Sequence, residues 1–169
     1  MRMQAKAIAH NIPHATAATM NINALFPSVA QPYQGHRSAL YYLVLLAMVS
    51  TARSLVHLLA PDGGANSIAG IALNVTGGTN IVALFGQWGA SQLVLAAMQW
   101  VVVLRYRFLV PAMLALALTE QLLRLLAGSL KPLEVGSAPP GTYGTYIVLA
   151  LSLLFLFLSL RKSTSPQPA

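Results

Sequence analysis

Four long apolar stretches, each bounded by proline, glycine or basic residues, leave this 169-residue chain few folds to choose from. An α-helix needs about 20 predominantly apolar residues to cross roughly 30 Å of hydrocarbon. The first stretch, from about Ser38 to Ala60, meets that length, and Pro61, Asp62, Gly63 and Gly64 stop it. Others run from about Gln87 to Leu104, Phe108 to Ala127 and Tyr143 to Leu160. Pro111 falls in the first turn of the third, where its missing N–H costs little. Gly128, Ser129 and Pro132 are expected to end that helix, and a loop containing Pro139 and Pro140 leads to the fourth. The predicted fold is all-α: a polytopic transmembrane four-helix bundle.

Composition supports the reading. The chain is 56% hydrophobic and 8% charged, with three acidic residues, whereas an average soluble domain is roughly 25% charged. So few acids could not decorate a soluble globule of this length. The net charge of +7 comes from basic residues that are scattered and flank apolar runs. No basic stripe with interleaved aromatics occurs, so no nucleic-acid partner is expected. There is no cysteine, which excludes disulfides, thiolate catalysis and Cys-ligated metal centres. No internal repeat suggests an inverted-repeat transporter.

Residues 1–37 read as a polar, acid-free N-terminal arm on the cytoplasmic side, and 161–169 as a short cytoplasmic tail. Residues 66–86 are ambiguous, because Ile68, Ile71, Leu73, Val75, Ile81, Val82, Leu84 and Phe85 are interrupted by Asn74, Thr76, Gly77, Gly78, Thr79 and Asn80. They could form a fifth span or a glycine-rich outer connection with a re-entrant or interfacial helix. Charge placement decides between them. With four spans, Arg2, Lys6, Arg37, Arg105, Arg107, Arg161 and Lys162 share one side and Lys131 alone lies opposite, seven against one. A fifth span makes the same eight four against four. The positive-inside rule selects four spans, with both termini cytoplasmic and Asp62, Lys131 and Glu134 outside. Trp88, Tyr143 and Tyr146 then fall near the outer interface, and Trp100, Tyr106 and Phe108 near the inner one.

Ionisable residues inside hydrocarbon are costly and face a bundle interior or a pocket. Here they are Arg53, His57, Glu120 and Arg124. Arg53 lies eight residues before Pro61 and Glu120 eight before Gly128, so both sit roughly 12 Å from the outer ends of parallel spans. His57 and Arg124 follow at i+4, on the same helix faces. These faces are expected to turn toward each other, with Glu120 between the two arginines and His57 alongside. Ser50, Ser54, Gln92 and Gln121 could add hydrogen bonds; Gln92 lies at the same level, and Gln99 shares its face one heptad deeper. The cluster reads either as a structural network or as a ligand site. Two arginines against one glutamate leave one positive charge in excess, suited to an anionic group or a lipid headgroup.

No catalytic residue, metal site or cofactor is expected. His57 is the one histidine in a span, which excludes a bis-His haem within the chain, although a pigment or haem held by a single histidine stays open. His10, His14 and His36 lie in the arm, where Pro13 spoils an i,i+4 pair. Ser50 or Ser54 with His57 and Glu120 has the composition of a hydrolase triad but no supporting signature. Gly77–Gly78 resembles no phosphate-cradling loop.

The run Ala83, Leu84, Phe85, Gly86, Gln87, Trp88, Gly89, Ala90, Ser91, Gln92, the Arg105/Arg107 turn and Arg124 near the end of the third span together resemble small bacterial membrane proteins of the DoxX-like four-helix group. The resemblance covers about half of the chain. It implies a four-helix fold in the cytoplasmic membrane rather than an activity. The long arm and the glycine-rich connection depart from that compact pattern and leave room for a subunit that binds a larger complex. The expected function is therefore that of a non-catalytic accessory subunit or assembly factor, with the lipid bilayer and other membrane proteins as partners. The alternative is a small carrier or receptor binding a lipid, quinone or anionic ligand at the Arg/Glu/His cluster.

Overall fold

A computed structural model of the chain describes residues 32–161. Four helices follow in order: α1 (Arg37–Leu59), α2 (Gly78–Leu104), α3 (Val110–Leu130) and α4 (Pro140–Leu160), with a 3₁₀ turn at Arg107–Leu109 leading into α3. All four are long and apolar enough to cross a membrane, so the chain is a multi-pass helical membrane protein. Most of the N-terminal arm and of the tail lies outside the described residues, including His10, His14 and Lys162.

Helix ends follow local chemistry, with three departures from expectation. Pro140 sits inside the first turn of α4 rather than in the preceding loop, because a missing N–H is harmless there. Helix α3 continues through Gly128 and Ser129 to Leu130. Gly128 can be carried because an apolar helix gains nothing by exposing its backbone to lipid. The largest difference is α2, which begins at Gly78 rather than near Gln87. At 27 residues it spans roughly 40 Å, about 10 Å more than the hydrocarbon core. Residues 66–86 thus divide: the later part forms the first turns of α2, and the earlier part belongs to a compact connection.

Asp62 organises that connection. Its carboxylate accepts backbone N–H bonds from Gly64 at 2.9 Å, Asn66 at 3.2 Å and Ser67 at 2.7 Å. These donors hold its pKa down at about 2, with the Ser67 N–H contributing most. The chain reverses through Gly63 and Gly64, whose φ values of 60° and 75° suit residues without a Cβ.

Helix α1 packs most extensively on α2, and α3 on α4. Helices α1 and α3 each touch all the others, whereas α2 meets α3 sparsely. In a bilayer, lipid tails are as apolar as leucine, so helices associate through close packing and interhelical hydrogen bonds. Both devices occur. Ala39, Ala47, Ala96 and Ala117 are buried small residues. The indole N–H of Trp100 donates to Thr51 Oγ1 at 3.1 Å, tying α2 to α1. Tyr42 shares a 3.0 Å hydroxyl–hydroxyl bond with Ser152 and stacks on Phe155 at 4.5 Å, tying α1 to α4.

The apolar core lies at one end of the bundle. Leu43, Leu46, Val102, Val103, Val110 and Leu114 meet there, beside the start of α1, the end of α2 and the start of α3. Buried Tyr33 joins this core, and the His36 N–H donates to the Leu158 carbonyl at 3.2 Å. The start of α1 is thereby pinned to the end of α4. The opposite end is organised by polar groups.

Candidate functional site

That polar end is assembled around one indole ring. The guanidinium carbon of Arg53 lies 4.7 Å from the Trp88 ring centroid, and that of Arg124 lies 5.0 Å from it. The His57 ring lies 4.6 Å from the same indole, tilted by 33°. Phe85 meets both rings edge-on, 5.7 Å from His57 and 5.8 Å from Trp88. An aromatic face attracts cations electrostatically, by ~0.5–1 kcal/mol when exposed and ~2 kcal/mol or more when desolvated.

Each ionisable group also has a polar partner. Glu120 Oε1 accepts from Arg124 Nε at 2.9 Å and Nη2 at 2.5 Å, an i,i+4 pair along α3. Arg53 Nε donates to His57 Nε2 at 3.4 Å. His57 Nδ1 lies 2.7 Å from the Gly63 carbonyl, which can accept and not donate. The neutral Nδ1–H tautomer satisfies both neighbours of His57: Nδ1 donates to Gly63, and the Nε2 lone pair receives Arg53. A Cβ placed on Gly141 would stand 3.8 Å from Arg53 Nη2, so this side chain reaches the first turn of α4. All four helices and the 60–77 connection thus meet at one cluster.

The two helix faces carrying Arg53/His57 and Glu120/Arg124 do converge. The detail differs from the arrangement expected. Trp88, rather than Glu120, is the group that both guanidiniums contact. Glu120 has its hydrogen bonds from Arg124. Gln92, one turn beyond Trp88 on α2, is half-buried and makes no hydrogen bond to the cluster among the described residues. Ser54 donates to the Ser50 carbonyl at 2.6 Å and so serves its own helix rather than His57. Gln121 is buried, and His36 caps the start of α1 far from the cluster.

Trp88 packs on His57, two residues from the end of α1, so beyond the interface position expected for it, it has a partner that its own helix does not reveal. The sequence signal for that partnership is the pair of glycines around it, Gly86 and Gly89. A Cβ on Gly89 would lie 2.8 Å from both His57 Cβ and the Leu58 amide nitrogen, so α1 and α2 touch backbone to side chain there. This close approach is what brings the indole against His57 and Arg53. Among the described residues, no group of three His, Asp or Glu side chains could hold a metal ion.

Chemically, the cluster concentrates two guanidiniums and one carboxylate around a half-buried ring. It cross-links helices through groups that are expensive to separate in hydrocarbon. Comparison with protein-family models, curated proteins and solved structures finds no match to the chain.

Proposed function

We propose that the chain is a non-catalytic accessory subunit or assembly factor of a larger membrane complex. The observation that carries this is the closure of the ionisable cluster on itself. Arg53, His57, Glu120 and Arg124 hold one another, Trp88 and the Gly63 carbonyl. Groups engaged this way build a rigid bundle. What the bundle presents outward is apolar along its length: Leu84, Val94 and Leu104 on α2, and Tyr146, Leu153 and Leu160 on α4 are all exposed. Such a surface acts through what packs against it, lipid or protein.

The seven-to-one division of basic residues supports seating in a bacterial cytoplasmic membrane with both termini inside. The DoxX-like resemblance agrees with that location. The test is photocrosslinking from single positions on α2 (Val94) and α4 (Leu153) in native membranes, with gentle solubilisation in parallel. A subunit gives one discrete protein adduct from at least one face and migrates in a larger assembly. Migration as a lone monomer with lipid adducts alone would sink the proposal.

The competing reading is a carrier that takes a lipid, quinone or anionic group at Arg53 and Glu120, and the excess guanidinium favours it. A Glu120→Gln variant separates the two. A structural cluster loses thermostability, whereas a carrier keeps its stability and retains a different amount of phosphatidylglycerol on purification.

A further inference from the structure

Helices α2 and α3 meet sparsely, and between them runs a groove of about 210 Å³. Its walls are almost wholly apolar: Leu95, Met113, Leu116, Ala117 and Leu123 contribute most of them. Leu116 and Leu123 are 48% and 59% exposed, so the groove opens sideways, where the bilayer would lie. Three polar side chains interrupt this lining, and one of them, Thr119, already donates its hydroxyl to the Ala115 carbonyl at 2.9 Å. Glu120 marks the end that adjoins the ionisable cluster, and Gln99 enters from α2.

Gln99 is the anomaly. It is 4% exposed, and its Oε1 is buried without a hydrogen-bond partner. Buried polar groups are nearly always satisfied, because an unmade bond costs the full desolvation of the group. In a membrane no bulk water repairs the deficit. Gln99 lies five residues before the end of α2, roughly 8 Å along its axis, well below the helix end. Gln99 lines the apolar groove, so a turn of its amide would offer the unpartnered Oε1 to a polar atom that arrives with an apolar body.

We propose that the α2–α3 groove binds a small apolar ring bearing a hydroxyl group, with the hydroxyl bonded to the Gln99 amide. Size admits a ring, since an enclosed apolar cavity of about 150 Å³ accommodates benzene and this groove, open on its exposed side, offers about 210 Å³. The space here admits a ring with one or two substituents. The amide selects the hydroxyl, which can donate to Oε1 and, having lone pairs, also suits an amide turned the other way. Glu120 gives the site a second acceptor at its far end and links occupancy to the cluster. This inference is independent of the accessory-subunit proposal: a subunit and a lone monomer could each carry the groove.

The test compares p-cresol with p-xylene, which differ by a hydroxyl in place of a methyl. Apparent Kd is read from saturable thermal stabilisation of the purified full chain in detergent. Wild type should bind p-cresol about tenfold more tightly, the worth of one buried hydrogen bond. A Gln99→Met variant keeps the volume but loses the amide; it should melt at or above wild type without ligand and bind both probes equally. Leu116→Trp, which fills the groove from its exposed wall, should abolish stabilisation by both. Equal binding of the two probes to wild type would show a groove for acyl chains only and overturn the proposal. So would a p-cresol preference that survives in Gln99→Met, or stabilisation indifferent to Leu116→Trp.

Discussion

Gly89 offers the sharpest test of how this bundle is held together. Any side chain placed there meets the backbone of α1: a Cβ would lie 2.8 Å from the Leu58 nitrogen, 2.8 Å from His57 Cβ and 3.0 Å from the His57 carbonyl carbon. Comfortable carbon contacts lie near 3.5–4.0 Å, so Gly89→Ala must drive α1 and α2 apart by roughly 0.5–1 Å. Overpacking of this kind costs about 1–3 kcal/mol. The same substitution gains about 0.5–1 kcal/mol from helix propensity, leaving a net loss of about 0.5–2 kcal/mol. Gly128→Ala in α3 is the matched control, since nothing lies within 4 Å of its Cβ position. It carries the propensity gain alone and should stabilise by about 0.5–1 kcal/mol. Reversible unfolding in mixed micelles, titrated with a denaturing detergent, measures both. The two variants should move in opposite directions and differ by about 2 kcal/mol. If Gly89→Ala is as stable as Gly128→Ala, α1 and α2 are not in backbone contact, and the placement of Trp88 against His57 and Arg53 falls with it.

Other consequences can be measured separately. Trp88→Leu removes the ring that both guanidiniums face and should cost about 1–3 kcal/mol, two half-buried cation–π contacts; Trp88→Phe should cost less, and equal losses would discount the ring's electrostatic role. Glu120→Gln leaves Arg124 without its carboxylate and should destabilise by about 1–3 kcal/mol, below the value for a fully buried pair because both side chains keep some exposure. Asp62 is held at about 2, below its ordinary 3.8, so its contribution is complete above pH 4 and disappears as pH falls toward 2. The protection factors of the Gly64, Asn66 and Ser67 amides, with the intrinsic pH dependence of exchange divided out, should fall across that window in wild type, and Asp62→Ala should lack this protection at every pH. The chain has no cysteine, so Gly136→Cys gives a single reporter; it should react with an impermeant maleimide from outside the cell, and cytoplasmic labelling would reverse the proposed orientation.

Much of the fold is legible because hydrocarbon is an unforgiving solvent. Any stretch such as Tyr143 to Leu160 has to satisfy its own backbone, so apolar length alone announces a helix. The same cost makes Arg53, His57, Glu120 and Arg124 stand out, and their i,i+4 spacing by itself places each pair on one face. The start of α2 was not legible. Thr79, Asn80 and Gly86 are weak helix formers, and the helix persists through them because α1 and the Asp62 connection pack against it. Local propensity yields there to tertiary contact.

The site divides in the same way. Sequence determined which groups must hide from lipid, since that follows from residue type and depth. It could not say what they would hide against. The contact of Trp88 with His57 and Arg53 depends on Gly89 letting α2 approach α1, a distance that no spacing along one helix encodes. Gln99 is one polar residue among several in the sequence, and only the sparse α2–α3 contact decides that its Oε1 is buried without a partner. Energetic cost is written residue by residue in the chain, whereas partnership depends on how two helices cross, and only the packed bundle decides that.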